Sequence, residues 1–334
     1  MRFVVFGAGA VGGVVGGRLA QAGHDVALIA RGEHGAAIRA RGLTIESPAG
    51  AATVTVECVD RPADLGFQAD DVVILGMKTQ DTAAALDDLL EAAGDAIPVI
   101  CAQNGVENER IALRRFAHVY GMPVRLPATH LEPGVVQADS APYSGVLDVG
   151  RYPEGVDDTC AAVCAALERS TFSARPEPKV MRHKYNKLLG MNLSNALQVI
   201  AGDEAAGAAD LMRRARAEAA ACYAAAGIDC ATEEEDRIRR GDLIKVGTIE
   251  GRRRGGGSTW QSLARGKRVL EVDYLNGEIV MLGRLWGVAT PVNYALQQVA
   301  NRLAREGQPP GAMTLREFEA QVQPITAGET RESD

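Results

Sequence analysis

The sequence predicts an α/β fold in two parts: a doubly wound parallel-sheet domain over residues 1–175 and a mostly α-helical domain over 176–306. A polar tail occupies 307–334. Three observations predict this. Short apolar runs alternate with helical patterns through the first half, which implies a parallel sheet with helices on both faces. From about Pro176 the helical period governs almost alone. The first strand-like run ends in a glycine loop that opens a helix, in "RFVVFGAGAVGGVVGGRLA".

Taken in order, "RFVVFG" reads as a strand, Val11–Ala22 as a helix, "DVALIA" as a strand and His34–Arg41 as a short helix. "GLTIES" and "ATVTVECV" flank a turn at Pro48-Ala49-Gly50 and predict a β-hairpin insertion. "DVVILGM" and "IPVICA" are strands separated by a helix over Thr82–Ala93. Residues 124–150, rich in Val, Gly and Pro, read as antiparallel strands closing the domain. The second domain predicts helices over 179–200, 207–226, 233–245, 260–284 and 292–305. "IEGRRRGGGSTW" (249–260) interrupts them as a mobile loop, with Arg252–Arg254 a solvated run, and the tail from Gly307 reads as frayed.

Composition narrows the function. Hydrophobic residues are 46% and charged residues 24%, ordinary for a soluble globular enzyme. The net charge of -7 argues against a nucleic-acid partner. No apolar run approaches the roughly 18 residues of a membrane span. The chain opens at once on a strand pattern, so no signal peptide is read. The six cysteines form no C-x-x-C and no Cys/His cluster with zinc spacing, so no metal is expected. Cys160 and Cys164 read as helix-packing residues, and reduced thiols point to the cytoplasm.

The glycine loop is Gly7-Ala8-Gly9-Ala10-Val11-Gly12, a G-x-G-x-x-G between a strand and a helix at the head of a βαβ pattern. Gly7 permits a tight turn, Gly9 close approach of backbone to a pyrophosphate, and Gly12 close packing of helix on sheet. The helix N-terminus presents N–H groups and partial positive charge to phosphate. This is the fingerprint of a Rossmann-type dinucleotide-binding domain. Where such folds place an acid for the ribose hydroxyls, "LIARGEH" places Arg31. A guanidinium pairs with a 2′-phosphate, so NADP(H) is favoured, with Glu33 nearby leaving NAD(H) open.

Four further stretches carry a resemblance: "GMKTQDT", "CAQNGVEN", "KLLGMNLSNAL" and "STWQSLARGKRVLEVDYLNGEIV". With "GAGAVG", they resemble the ketopantoate reductase (2-dehydropantoate 2-reductase) family over roughly residues 1–305. The resemblance implies NADPH-dependent reduction of a 2-oxo acid. It implies Lys187 as general acid, with Asn195 eight residues on, Glu271 opening "EVDYLNG", and Ser258 and Thr259 where a serine pair lies. Lys78 and Asn104 match cofactor- and substrate-contacting positions. The sequence departs from the pattern where Met191 aligns with the first family asparagine and Asn192 follows it, and where Thr259 replaces a serine.

At about 100° per residue, a regular helix puts Lys184, Lys187, Met191 and Asn195 on one broad face and Asn192 off it. Amides and ammonium groups beside packed apolar residues suit the lining of a ligand cleft. Ketone reduction needs a hydride at the carbonyl carbon, a proton or positive charge at the developing alkoxide, and donors for the substrate carboxylate. A lysine ammonium supplies the second need. Asn192, Asn195, Ser258 and Thr259 suit the third, and Glu271 could orient the ammonium or hold a substrate hydroxyl. Lys184 is the rival acid, since Asn192 lies eight residues after it. The histidines show no pairing or ligand spacing and read as structural or surface residues. Three readings follow: reduction of 2-dehydropantoate, reduction of another 2-oxo or imino acid on the same fold, or a non-enzymatic NADP-binding sensor. The long amphipathic helices allow a homodimer.

Overall fold

The computed structural model of the chain describes residues 1–252 and 256–329. By its contacts the chain divides into two compact units. The first is Met1–Lys184 with Thr232–Arg254, and the second is Tyr185–Ala231 with Gly255–Asp334.

The first unit alternates as its apolar runs require: β1 (Arg2–Phe6), α1 (Ala10–Gln21), β2 (Val26–Ile29) and α2 (Gly32–Arg41). A hairpin follows, β3 (Leu43–Ser47) and β4 (Gly50–Val54), then β5 (Glu57–Val59), β6 (Asp71–Leu75), α3 (Thr79–Ala93), β7 (Val99–Cys101) and α4 (Asn108–Leu113). The remaining elements before the second unit are β8 (Val119–Gly121), β9 (Ala128–Thr129), β10 (Val135–Ala138), β11 (Gly145–Val146), β12 (Gly150–Arg151), α5 (Asp158–Glu168) and β13 (Phe172–Ser173). The helix α6 (Val180–Lys187) crosses the boundary between the units.

Seven strands form the main sheet in the order β12-β8-β7-β6-β1-β2-β5, all parallel except β12. Every residue of β1 is buried, so alternate side chains feed two cores. Phe3 and Val5 pack in one with Val14, Val15 and Leu19 of α1, while Val4 and Phe6 pack in the other with Leu86 and Leu89 of α3. Each such apolar side chain contributes about 1.5–3 kcal/mol on burial. The chain passes from β1 to β2 on one side, and β6 flanks β1 on the other. Strand order therefore reverses at β1, which opens the crevice at the carboxyl ends of β1 and β6 where such sheets bind ligands.

The predicted hairpin forms, with Leu43 opposite Val54 and Ser47 opposite Gly50. It ends earlier than expected: Glu57–Val59 leaves it and extends the main sheet beside β2. The antiparallel reading of 124–150 holds for β9 with β10 and for β12 with β8. It fails for β10, which runs parallel to β3, and for β11, parallel to β13. Cys160 and Cys164 are buried in α5, and burial pushes their thiols up to about 11 and about 12. Thr232–Arg254 joins this unit through charged anchors. The Arg239 guanidinium is bidentate on the buried Asp148 at 2.8 and 2.6 Å, and Arg125 pairs with Asp236. Its helix α9 (Glu233–Arg240) starts in a capping box of Thr232 and Glu235.

The second unit holds α7 (Ser194–Ala201), α8 (Ala209–Ala225), α10 (Ser258–Ala264), α11 (Asn276–Trp286), α12 (Pro291–Glu306) and α13 (Leu315–Glu329). The single helix expected over 260–284 is broken. Gly266, at φ 73°, ends α10, and a 3-10 turn at Glu271–Tyr274 precedes α11. The tail, expected to fray, forms α13 and buries Phe318 and Val322. Arg253, Arg254 and Gly255 of the predicted loop lie outside the described residues. Arg252, expected to be solvated, is bidentate on Glu46 at 2.8 Å and also meets Glu132.

Candidate active site

In the first unit the loop Gly7–Gly12 joins β1 to α1. Gly7 has φ 95°, and a Cβ there would lie 2.7 Å from the Met77 nitrogen. A Cβ on Gly12 would lie 2.2 Å from the Gly7 carbonyl oxygen, so the close helix–sheet approach is physical. At Gly9, by contrast, the space a Cβ would enter is open, and no side chain caps the helix end it starts. Ala8 is buried, while Ala10 and Val11 are half-buried at the head of α1. A tight turn, an uncapped twelve-residue helix and free space above the central glycine fit a dinucleotide pyrophosphate.

Arg31 is exposed and stands at the N-cap of α2, two residues after the end of β2, with the exposed Glu33 two residues on. His34 lies one turn into α2. Its Nε2 contacts the Ala8 carbonyl at 2.7 Å, and its Nδ1 accepts the Gly134 N–H at 2.9 Å. Since Nδ1 accepts, Nε2 carries the proton and donates to the glycine loop. The His130 ring packs on His34 with centroids 4.1 Å apart. Sequence reasoning missed this residue because its partners lie 26 and 100 positions away.

Lys78 forms the N-cap position of α3, and Asn104 follows β7; both are half-buried. A buried polar network binds their two loops together. Gln103 Nε2 donates to the Met77 carbonyl at 3.0 Å and to Thr82 Oγ1 at 2.8 Å. The Thr82 hydroxyl donates to Asn108 Oδ1, and Asn108 Nδ2 donates to Thr79 Oγ1 and to the Asn104 carbonyl. The network fixes Lys78 and Asn104 at neighbouring strand ends of one sheet.

In the second unit the expected regular helix over 179–200 contains a π-helical stretch at Leu188–Asn192. The Leu193 N–H reaches the Leu188 carbonyl, five residues back, at 3.3 Å. This corrects the even helical spacing assumed from sequence. Met191, expected beside Lys187, is 52% exposed, while Asn192 is buried at 5%. Asn195 is also buried, and Lys187 is half-buried.

Asn195 lies beside Gly257, the residue before the Ser258-Thr259 pair. The Gly257 N–H donates to Gln198 Oε1 at 2.7 Å, and a Cβ on Gly257 would lie 3.0 Å from Asn195 Oδ1. Thr259 is fully buried, yet its Oγ1 has no hydrogen-bond partner, and neither has Asn192 Oδ1. Buried polar atoms rarely go unpaired without a reason. Glu271 is buried in the 3-10 turn before α11. Asn276 of "EVDYLNG" donates from Nδ2 to the Leu193 carbonyl at 3.2 Å and to Asn293 Oδ1 at 3.1 Å, while its own Oδ1 is buried without a partner. Lys184, the rival acid, is buried with its ammonium on Glu109 and 3.5 Å from the Cys101 carbonyl.

A dinucleotide-binding parallel sheet, joined to a helical unit with a lysine, amides, hydroxyls and a buried carboxylate, defines a two-domain nicotinamide-dependent oxidoreductase. The model of the ketopantoate reductase PanE/ApbA family matches residues 3–154, and that of the family's C-terminal domain matches 179–304. The chain belongs to the ketopantoate reductase family. It is 28% identical to a 2-dehydropantoate 2-reductase of Pyrococcus horikoshii, over 89% of this chain and 95% of that protein. It is similar to the crystal structure of a PanE/ApbA family ketopantoate reductase from Ralstonia eutropha, at TM-score 0.75 and 29% identity, covering 92% of this chain and 99% of that one. A D-mandelate dehydrogenase solved with NADH shares the fold, at TM-score 0.77 and 22% identity, covering 92% and 99%. Among the described residues, no helix is long and apolar enough to cross a membrane.

Proposed function

We propose that the chain reduces a small 2-oxo acid to the 2-hydroxy acid with NADPH, its leading substrate being 2-dehydropantoate, which gives pantoate for pantothenate synthesis. The observation that carries the reading is a set of three buried oxygens without partners, Asn192 Oδ1, Thr259 Oγ1 and Asn276 Oδ1, in the unit that holds Lys187. A polar ligand would satisfy them, and the curated relative carries the name 2-dehydropantoate 2-reductase.

A bound nicotinamide dinucleotide supplies the hydride. The backbone of Gly7–Gly12 and the N-terminus of α1 hold its pyrophosphate. Arg31 would pair with a 2′-phosphate, and Lys78 and Asn104, at the strand ends, would contact cofactor and substrate. Lys187 protonates the carbonyl oxygen as it becomes an alkoxide, and its charge stabilises that oxygen before transfer. Asn192, Asn195, Ser258 and Thr259 fix the carboxylate and hydroxyl groups of the substrate. Glu271 orients the ammonium or accepts a substrate hydroxyl. Lys184 is engaged by Glu109 and takes no part in proton transfer.

Replacing Lys187→Ala tests the assignment. The expected result is a loss of kcat of about 10²–10⁴-fold, the usual worth of a general acid, with the Kd for NADPH unchanged. Turnover retained within threefold would remove Lys187 from the chemistry, whereas a parent protein that binds NADPH and turns over no 2-oxo acid would favour the sensor role.

A further inference from the structure

The π-turn at Leu188–Asn192 changes which side chains share a face. In an uninterrupted α-helix Met191 lies about 40° from Lys187, Asn195 about 80° and Asn192 about 140°. A π-turn takes one extra residue into a single turn. Each later residue then stands about where an α-helix would put its predecessor. Asn192 moves to about 40° from Lys187, and Asn195 to about 20° on the other side. Lys187, Asn192 and Asn195 become one stripe.

We propose that this one-residue insertion is a positioning device for substrate, and that Asn192 meets the substrate while Met191 is turned out to solvent. The inference rests on the keto-acid reading given above. Three observations in the second unit carry it. The burial pattern is the inverse of what packing favours: the methionine is 52% exposed and the amide 5%. The buried Asn192 Oδ1 has no partner within the protein. The turn is also built to last, because side chains cover its carbonyls. Arg216 donates to the Gly190 oxygen at 2.9 Å, Ser194 Oγ to the Met191 oxygen at 2.8 Å and Asn276 Nδ2 to the Leu193 oxygen at 3.2 Å. A π-turn weakens the regular backbone pairing, and these donors satisfy the groups it exposes.

Two experiments separate the register from the chemistry. The first deletes Gly190 and measures Tm. With a π-turn present, the deletion closes the helix into regular α geometry and leaves Leu193, Leu197 and Ile200 in the core. Tm then stays within roughly 5 °C of the parent. With a regular helix, the deletion rotates those three buried residues by about 100°. A fall in Tm beyond roughly 15 °C, or loss of folded protein, overturns the proposed register. This reading needs no activity.

The second experiment exchanges the pair, Met191→Asn with Asn192→Met, and compares it with Met191→Ala alone. The exchange is expected to raise KM for the 2-oxo acid at least tenfold with the Kd for NADPH unchanged, and Met191→Ala to stay within twofold. An exchanged protein as active as the parent overturns the assignment of Asn192. A parent that turns over no 2-oxo acid, beside a deletion that keeps its Tm, overturns the keto-acid reading and the role given to Asn192, and leaves only the register standing.

Discussion

His34 joins the glycine loop to the turn before β10 with both ring nitrogens, donating to the Ala8 carbonyl and accepting from the Gly134 N–H. The loop amides that would face a pyrophosphate are thereby held from behind. Replacing His34→Ala is expected to weaken NADPH binding by about tenfold, the scale of one lost positioning hydrogen bond, with kcat little changed. Rescue by His34→Gln, which can keep one of the two bonds, would distinguish positioning from packing; equal binding by all three proteins would contradict it. No sequence pattern announces His34, since its partners are backbone atoms of distant segments. The lysines were half legible. Lys184 and Lys187 both read as candidates, and the contact of Lys184 with the Glu109 carboxylate, 75 residues away, is beyond what spacing reveals. The tight turn at Gly7 and the close packing at Gly12 were legible because their geometry is set by spacing within one turn.

Elements were legible where the hydrophobic period was regular. β1, α1, β2, β6 and α3 all follow apolar runs bounded by turn residues. The failures have local causes. Gly266 in the left-handed region cuts a helix whose apolar period continues past it. β5 looks like the far end of a hairpin strand until its register with β2 is known. α13 has a polar sequence, and its place is set by two buried residues, Phe318 and Val322. The π-turn was invisible because a helical wheel assumes the period that the turn breaks. Arg252 shows what anchors the segment before α10. Its guanidinium holds the Glu46 and Glu132 carboxyls below their ordinary value of 4.5. A depressed carboxylate contributes stability above its unfolded value, and that contribution is lost as pH falls through the folded one. The pairing is therefore expected to be intact above about pH 4.5 and to fail below it, read as faster hydrogen exchange at the Arg252 amide. The exposure of Glu132 keeps the effect small. Arg252→Ala should abolish the pH step; a step that survives the substitution would assign it to another group.

For the molecule as a whole, each unit carries one half of the proposed chemistry. The sheet unit presents an open, uncapped helix end after a tight glycine turn, with Arg31 at the next strand end. The helical unit presents Lys187, buried amides and hydroxyls, and Glu271. The fold class was legible from the alternation of strands and helices, and the family from the motifs. The membership of Thr232–Arg254 in the first unit was not, because it depends on ion pairs such as Asp148 with Arg239 across 91 residues. A ligand that binds only the folded protein stabilises it by RT ln(1 + [L]/Kd), so NADPH should raise Tm more than NADH at equal concentration if Arg31 reads the 2′-phosphate. The most direct test of the account is the rate of NADPH and of NADH oxidation by the purified protein with 2-dehydropantoate, beside a panel of other 2-oxo acids. The account predicts fastest turnover with 2-dehydropantoate and NADPH, and a clear loss with NADH. Tight NADPH binding with no oxidation on any 2-oxo acid would contradict it.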